Sequence, residues 1–384
     1  MTENMKTLFD CRHFREDRPC NVHKSTGVHC GDCAEYDPIK TRILVIKLNA
    51  TGDVLRTAGI IPALQSKYPG AYVTWITDPP AIPLLEMVPG IDQIWSNGGF
   101  SLERLLTDRF DLVLGLDNSR DSAAIASLSK SDNRLGFSLG DDGRLNPLSP
   151  AADRWFQMGL WDDLKRANSL TYQEILWDIC ELPLPTIPPH VVLPQTLMTE
   201  ARSFAQETRI TDTGPVIGFF SGAGKRWPQK TLSFDRQKEL LRELSGMYPN
   251  ASIILFGGPE EAEQNDRLLA EAPSNVVHAG CHNPLPQFAS LLNLVDVLIT
   301  GDTLALHVGL ALRKKIVSYF GPTAPWEIDL FGMGEKIIAP VECIACYRST
   351  CDKKQKCSDL VSIEAIMDAV HSMVKGISGG SNDQ

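Results

Sequence analysis

Residues 43–48 read Ile-Leu-Val-Ile-Lys-Leu, a near-continuous apolar run. A strand with one wet face alternates apolar and polar residues; one that is apolar almost throughout is covered on both faces, as in a parallel sheet flanked by helices. The residues that follow keep that cadence. An apolar helical pattern runs from Val54 through Tyr68 and closes on Pro69-Gly70. Strand is then expected over Tyr72–Thr77, a short helix over Ala81–Val88, strand over Ile91–Trp95, helix over Ser101–Asp108 and a buried strand over Asp111–Leu116. Strands alternating with helices at this spacing are βαβ units, so the expected class is α/β with parallel sheet. From Gly140 to Leu170 the pattern weakens to an irregular connection or a helix pair, and Thr171–Cys180 reads as helix.

The alternation then stops. Residues 182–194 carry five prolines, which neither a helix interior nor a central strand accepts, so 182–195 is taken as a linker. A second series begins beyond it: strands at Val216–Phe220, Ser252–Phe256, Val295–Thr300 and Ile316–Phe320, with helices at Thr231–Tyr248, Glu260–Glu271 and Leu304–Leu312. The chain's 384 residues exceed what one core usually organises. The expected layout is a Cys-rich extension over 1–38, one Rossmann-like domain over 39–181 and another over 196–360. A C-terminal helix that crosses back to the first domain, with a disordered tail, completes it over 361–384. Two such sheets facing one another place ligands in the cleft at the carboxyl ends of the strands.

Composition removes several functions. Net charge is −10, against a nucleic-acid partner, whose phosphates need an excess of Lys and Arg. No run approaches the ~20 apolar residues of a membrane span. The opening MTENMKTLFDCRHF has no apolar segment of signal-peptide type, so a cytoplasmic location is expected.

Four strand-end turns carry the chemistry. After the first strand comes Asn49-Ala-Thr-Gly52-Asp53-Val-Leu-Arg56-Thr57. Gly52 lets a ligand approach the backbone, and Asp53 is either a first-turn acid complementing the helix dipole or a general base in the cleft. The turn is neither a dinucleotide fingerprint nor a Walker A loop. The second domain opens with Ser221-Gly222-Ala-Gly-Lys225-Arg-Trp-Pro228, where glycines free backbone N–H groups for a phosphate and Lys225 adds a point charge; the alternative is a solvated basic turn. Gly257-Gly258-Pro259-Glu260-Glu261 offers an acid to a ribose diol, or only a first-turn acid. In Gly301-Asp302-Thr303-Leu-Ala-Leu-His307, Thr303 and its neighbouring N–H groups suit a phosphate, Asp302 is also a candidate helix cap, and His307 a core-edge histidine.

Taken in order, ILVIKLNATGDVLRT at 43–57, GAGKRWPQ at 222–229, GGPEE at 257–261, GDTLALH at 301–307 and FGPTAPW at 320–326 resemble the family 9 glycosyltransferases, the bacterial ADP-heptose:lipopolysaccharide heptosyltransferases with the GT-B fold. The resemblance spans nearly everything from 40 to 370. It implies that Asp53 is the catalytic base and that Lys225 holds the donor diphosphate. It implies that Glu261, with Glu260 as second choice, binds the adenosine ribose, and that Asp302, Thr303 and His307 line the donor site beside Gly52, Ser221 and Gly222. Leu304 departs from the pattern, which has glycine there. The implied reaction is inverting transfer of a sugar, with heptose the leading donor sugar, from a nucleotide diphosphate to a glycolipid acceptor at the inner-membrane surface. The resemblance implies catalysis without a metal or other cofactor, and the chain agrees in having no Asp-x-Asp pair to hold a nucleotide-bound divalent ion. A sugar-nucleotide 2-epimerase of the same architecture and a non-catalytic nucleotide-sugar-binding protein are the alternatives.

Eight of the ten cysteines cluster, four before residue 34 and four over 343–357. Cys11, Cys20, Cys30 and Cys33 are expected to hold a structural zinc, with an iron–sulfur cluster as second choice and free thiols as the plain alternative. The Cys30-x2-Cys33 half resembles a zinc knuckle or ribbon; His13, His23 and His29 are spare ligands. Cys343, Cys346, Cys351 and Cys357 match a cysteine-bearing segment of the same family, and no metal is assigned to them.

Overall fold

The computed structural model describes residues 6–99, 102–210, 214–224 and 227–379, with side chains described to residue 376. Two six-stranded sheets account for the two apolar series. The first contains β1 (Thr41–Ile46), β2 (Ala71–Thr77), β3 (Gln93–Ser96), β4 (Leu112–Gly115), β5 (Arg134–Leu139) and β6 (Leu145–Pro147), in the order β3-β2-β1-β4-β5-β6. Only the edge pair β5–β6 is antiparallel. The second contains β7 (Val216–Phe220), β8 (Ser252–Phe256), β9 (Val276–His278), β10 (Val297–Gly301), β11 (Lys315–Phe320) and β12 (Gly334–Ile338), in the order β12-β11-β10-β7-β8-β9, parallel throughout. In both sheets the winding reverses between the first and fourth strands, so each has a crevice at its centre, beyond the carboxyl ends of β1 and β4 and of β7 and β10.

The unbroken apolar runs are buried as parallel strands require. Ile43 and Val45 face one side of the first sheet, against Trp75, Leu114 and the helix Tyr172–Ile179; Leu44 and Ile46 face the other, with Ile76, Trp95 and Phe110. The first of these cores does not end at the domain boundary. It continues through Phe256, Phe288, Leu298, Ala305 and Leu306 of the second domain, so one apolar mass fastens both halves. The helices Thr51–Thr57 and Leu304–Ala311 meet directly across this seam.

Several expectations are corrected. The single helix expected from Val54 to Tyr68 is two, Thr51–Thr57 and Ile60–Lys67. Gly59 marks the break because the linker presses on it: a Cβ there would lie 2.5 Å from the Ile187 carbonyl oxygen. The linker is itself packed, with the Val192 N–H donating to Met87 and the Val191 N–H to Ala311, one residue from each domain. A 3-10 turn at Pro228–Lys230 delays the helix expected from Thr231, which runs over Phe234–Met247. The hairpin β5–β6 and the short strands β9 and β12 have no period strong enough to be read in advance. Residues 150–167 do form a helix pair, Pro150–Leu160 and Asp162–Ala167. The terminal helix, Ile363–Gly379, packs on the second domain, setting Ile366, Met367 and Val370 among Leu240, Leu244 and Val317, where a crossing back to the first was expected. The tail expected beyond it, at 380–384, lies outside the described residues.

The extension is docked by charge. Arg12 donates to the Ala71 carbonyl at 2.8 Å and pairs with Asp37 at 2.9 Å and with Asp92, while its N–H donates to the Asp37 carbonyl. Its two short helical turns, Asn21–Thr26 and Cys30–Asp32, bury no residue. Gly59→Ala should force the linker outward and cost roughly 1–3 kcal/mol, measurable by urea denaturation. Unchanged stability would remove the contact as the cause of the helix break.

Candidate functional site

The chemistry gathers at the two crevices. Lys47 follows β1 and is buried in an otherwise apolar layer, where an unpartnered ammonium would be costly. Asp117, two residues beyond β4, supplies the counter-charge: its carboxylate accepts from the Lys47 ammonium and, at 2.5 Å, from the Leu48 N–H, while Lys47 also donates to the Asn49 carbonyl at 2.8 Å. Together they fix the turn that leads into the helix carrying Gly52, Asp53 and Arg56. Asp53 does not cap that helix. The N-cap is Ala50, and the Asp53 carboxylate pairs instead with Arg56 at 2.9 Å, its side chain 38% exposed toward the cleft. Burial pushes the Asp53 carboxyl upward, but Arg56 and Lys47 outweigh it and hold it below the ordinary carboxylate range. Arg56 lies 3.5 Å over the Tyr172 ring, and the Tyr172 hydroxyl is 2.6 Å from that of Thr57, so the guanidinium sits on an oriented aromatic floor.

Across the seam, the turn after β10 is held as firmly. Asp302 does not cap its helix either: its carboxylate accepts from Lys230 at 2.7 Å and from Thr323 at 2.8 Å, and Lys230 also donates to the Asp302 carbonyl at 3.0 Å. Burial opposes ionisation of Asp302, but Lys230 overrides it, and the carboxyl stays far below its usual range. Thr303 is the N-cap of Leu304–Ala311, but its side chain makes no capping hydrogen bond to the helix; its hydroxyl instead bonds that of Thr300 at 3.0 Å. The first N–H groups of that helix thus lack a capping side chain, the condition under which a helix N-terminus attracts an anion. His307 is buried in the same helix. Desolvation first, and the Arg56 guanidinium second, push it down to about 4, so the ring is neutral at physiological pH.

Gly52 brings the two turns together. A Cβ at residue 52 would lie 2.8 Å from His307 Cδ2, closer than real Cβ atoms come, with Leu304 Cα in ordinary contact at 3.7 Å. Asp53, Arg56, Asp302 and His307 consequently share one field, in which Arg56 also senses Glu327. Glu327 accepts from the Tyr347 hydroxyl at 2.8 Å, and Lys165 of the first domain lies 4.3 Å over the Tyr347 ring, a second tie between domains.

The remaining expected residues fall in three groups. Ser221 is fully buried, its hydroxyl 2.6 Å from Asn265 Oδ1 and 3.0 Å from the Phe256 carbonyl, so it fastens the loop and does not present itself to a ligand. Gly222 is where Glu261 passes: a Cβ there would lie 2.2 Å from the Glu261 carboxyl carbon. Glu261 accepts from the Gly258 N–H at 2.9 Å and the Gly224 N–H at 3.2 Å, strapping the two glycine turns and keeping lone pairs for another donor. Lys225 lies outside the described residues. Sequence reasoning missed Lys47, Arg56, Asp117, Tyr172, Lys230, Thr323 and Glu327. Only Lys47 left a plain signal, a charge inside the apolar run at 43–48.

Glycosyltransferase family 9 (heptosyltransferase) matches residues 100–357, two-thirds of the chain. The chain belongs to glycosyltransferase family 9. This family 9 enzyme is 25% identical over 311 residues to lipopolysaccharide heptosyltransferase 2 of Salmonella typhimurium, covering 74% of this chain and 84% of that one. Among solved structures it is similar to a family 9 glycosyltransferase of Veillonella parvula, with TM-score 0.74 and 18% identity over 88% of this chain and 98% of that one. It is similar too to ADP-heptose lps heptosyltransferase II of E. coli, with TM-score 0.67 and 19% identity over 88% and 99%. Family membership makes the chain a transferase and sets aside the epimerase and binding-only readings.

The buried neutral imidazole makes stability depend on pH. An unfolded histidine titrates near 6.5, so between about 6.5 and 4 the unfolded chain binds the extra proton and stability falls as pH falls. At pH 5 the loss is about 2 kcal/mol. Urea unfolding at pH 7 and pH 5 should show His307→Gln losing less than the unsubstituted chain by that amount; equal losses would mean the ring is charged in the fold.

Proposed function

We propose that this glycosyltransferase moves a heptose from ADP-heptose to a hydroxyl of a lipopolysaccharide-core acceptor, inverting the anomeric carbon. The observation that carries the reading is the pairing of Asp53 with Arg56 on one domain against the Lys230–Asp302–Thr323 group and the uncapped helix on the other. Inversion needs one in-line displacement. The acceptor oxygen forms its bond to the anomeric carbon as the carbon–oxygen bond to the diphosphate breaks, and the acceptor proton passes to Asp53. Arg56 keeps that carboxylate ionised and aimed, which readies it to accept the proton even though it lowers its basicity. ADP departs with negative charge that Lys225 and the N–H groups at Leu304 neutralise without reorganisation. Asp302, held ionised by Lys230, is an acceptor for sugar hydroxyls, and Glu261 takes the ribose diol.

The acceptor is a glycolipid presented at the cytoplasmic face of the inner membrane, contacted peripherally. Among the described residues no helix is long and apolar enough to cross a membrane.

Incubating the protein with ADP-heptose and a heptose-deficient core glycolipid tests the reading through the sugar and linkage of the product. Asp53→Asn should lower turnover roughly 10²–10⁴-fold while ADP-heptose binding stays nearly intact. Near-normal turnover in that variant would place the base elsewhere. Lys225→Ala should weaken ADP roughly 10- to 150-fold by calorimetry, the worth of one charge-assisted contact; unchanged ADP affinity would return Lys225 to a solvated turn.

A further inference from the structure

Among the described residues no three His, Cys, Asp or Glu side chains are grouped to hold a metal ion, so Cys11, Cys20, Cys30 and Cys33 do not form the zinc site expected of them. Unassigned chemistry lies instead in the cleft, in the turn after β11. We propose that Glu327 and Trp326 bind hydroxyls of the sugar being transferred, an inference that rests on the transfer reading above. Both stand in the 3-10 turn Pro325–Glu327, past the carboxyl end of β11. β11 pairs with β10, and Thr323, just before the turn, donates to Asp302 at 2.8 Å. The turn is thereby fixed beside the helix N-terminus proposed to receive the diphosphate, and the group attached to that diphosphate is the sugar.

Glu327 has one carboxylate oxygen engaged and one left over. Oε1 accepts from the Tyr347 hydroxyl at 2.8 Å; among the described residues no cation forms an ion pair with the carboxylate, and Oε2 accepts no hydrogen bond. Burial pushes the carboxyl above its ordinary range, against the pull of the Tyr347 hydroxyl, Arg56 and Lys165. A buried carboxylate kept only for structure is normally matched by a cation. Donors are left over too. Trp326 Nε1 is buried without an acceptor among the described residues, and so is Nε of Arg56, whose guanidinium acts on Glu327 across the seam. A hydroxyl donates to a carboxylate and accepts from an N–H at once. An anion here would be repelled by Glu327, Asp302 and Asp53, and a cation would leave both donors unmatched. A polyol satisfies both.

Tyr347 positions the carboxylate. Ala345 and Tyr347 are held in left-handed backbone, φ 57° and 53°, which residues other than glycine rarely adopt. The loop after β11 holds them there: their N–H groups donate to the Gly321 carbonyl at 3.0 Å and the Pro322 carbonyl at 2.8 Å. From the other side, Lys165 of the first domain covers the Tyr347 ring at 4.3 Å. The hydroxyl that engages Oε1 is thus set by both domains, and Oε2 is the oxygen that remains for the sugar.

The test compares steady-state transfer from ADP-heptose with calorimetric binding of ADP in the unsubstituted protein and in variants. Glu327→Gln keeps the shape; its amide oxygen still accepts from Tyr347, and its NH2 group, a donor, stands where Oε2 accepted. Its kcat/KM for ADP-heptose should fall roughly 10- to 150-fold, the worth of one hydrogen bond to a charged group, with ADP affinity and the KM for the acceptor unchanged. Trp326→Phe should lower kcat/KM roughly 2- to 12-fold, the worth of a neutral hydrogen bond. Tyr347→Phe should lower it in the unsubstituted background yet add almost nothing in Glu327→Gln, because it acts through that carboxylate; a merely structural tyrosine would add its full effect to both. Unchanged kcat/KM in Glu327→Gln, ADP binding weakened along with it, or a raised acceptor KM with ADP-heptose use intact would each overturn the assignment while leaving transfer by the unsubstituted protein in place. Absence of heptosylated product from the unsubstituted protein would overturn the transfer reading and this inference together.

Discussion

The close approach of two helices, one from each domain, is the contact on which the site depends. Residue 52 has no room for a Cβ because the His307 ring occupies the space. That absence lets Thr51–Thr57 and Leu304–Ala311 touch, and the touch joins two charged groups that neither domain completes alone. Asp53 and Arg56 come from the turn after β1; Asp302 and His307 come from the turn after β10. The apolar core running through the seam supplies the low-dielectric surroundings in which these charges act strongly on each other.

Such surroundings also make the charges expensive unless each is matched. The two domains solve this alike, with a lysine-to-carboxylate pair behind each functional turn: Lys47 with Asp117 and Lys230 with Asp302. Removing one partner of a buried pair typically costs roughly 3–5 kcal/mol, because the other is left uncompensated. The pairs thus lock loops that would otherwise be free to move, and each leaves a neighbour facing the cleft. At β1 that neighbour is Asp53; at β10 it is the helix N-terminus at Thr303, without a capping side chain.

The residues show why one part of this was legible and another was not. The runs at 43–48, 216–220 and 297–300 are apolar on both faces, a local property that names a buried parallel strand without knowledge of its neighbours. Gly52, Asp53, Asp302 and Thr303 stand at strand-end turns whose pattern is continuous in sequence. Arg56 and Tyr172 are 116 positions apart, Lys230 and Asp302 72. Nothing in either neighbourhood says which partner the other will find. Ser221 shows the converse: it sits in a phosphate-like turn, yet its hydroxyl is consumed by Asn265, a residue on a helix beyond the next strand.

The sequence by itself determined the doubly wound sheets, the proline linker and the turns at which ligands gather, because strand and turn preferences are set by side chains within a few residues of each other. Tertiary structure alone decided how those turns were used. It broke the first helix at Gly59, sent the terminal helix to the second domain, freed Asp53 and Asp302 from capping and matched each to a cation. Those outcomes depend on which surfaces meet, and burial energy is a property of the meeting, not of either stretch of chain.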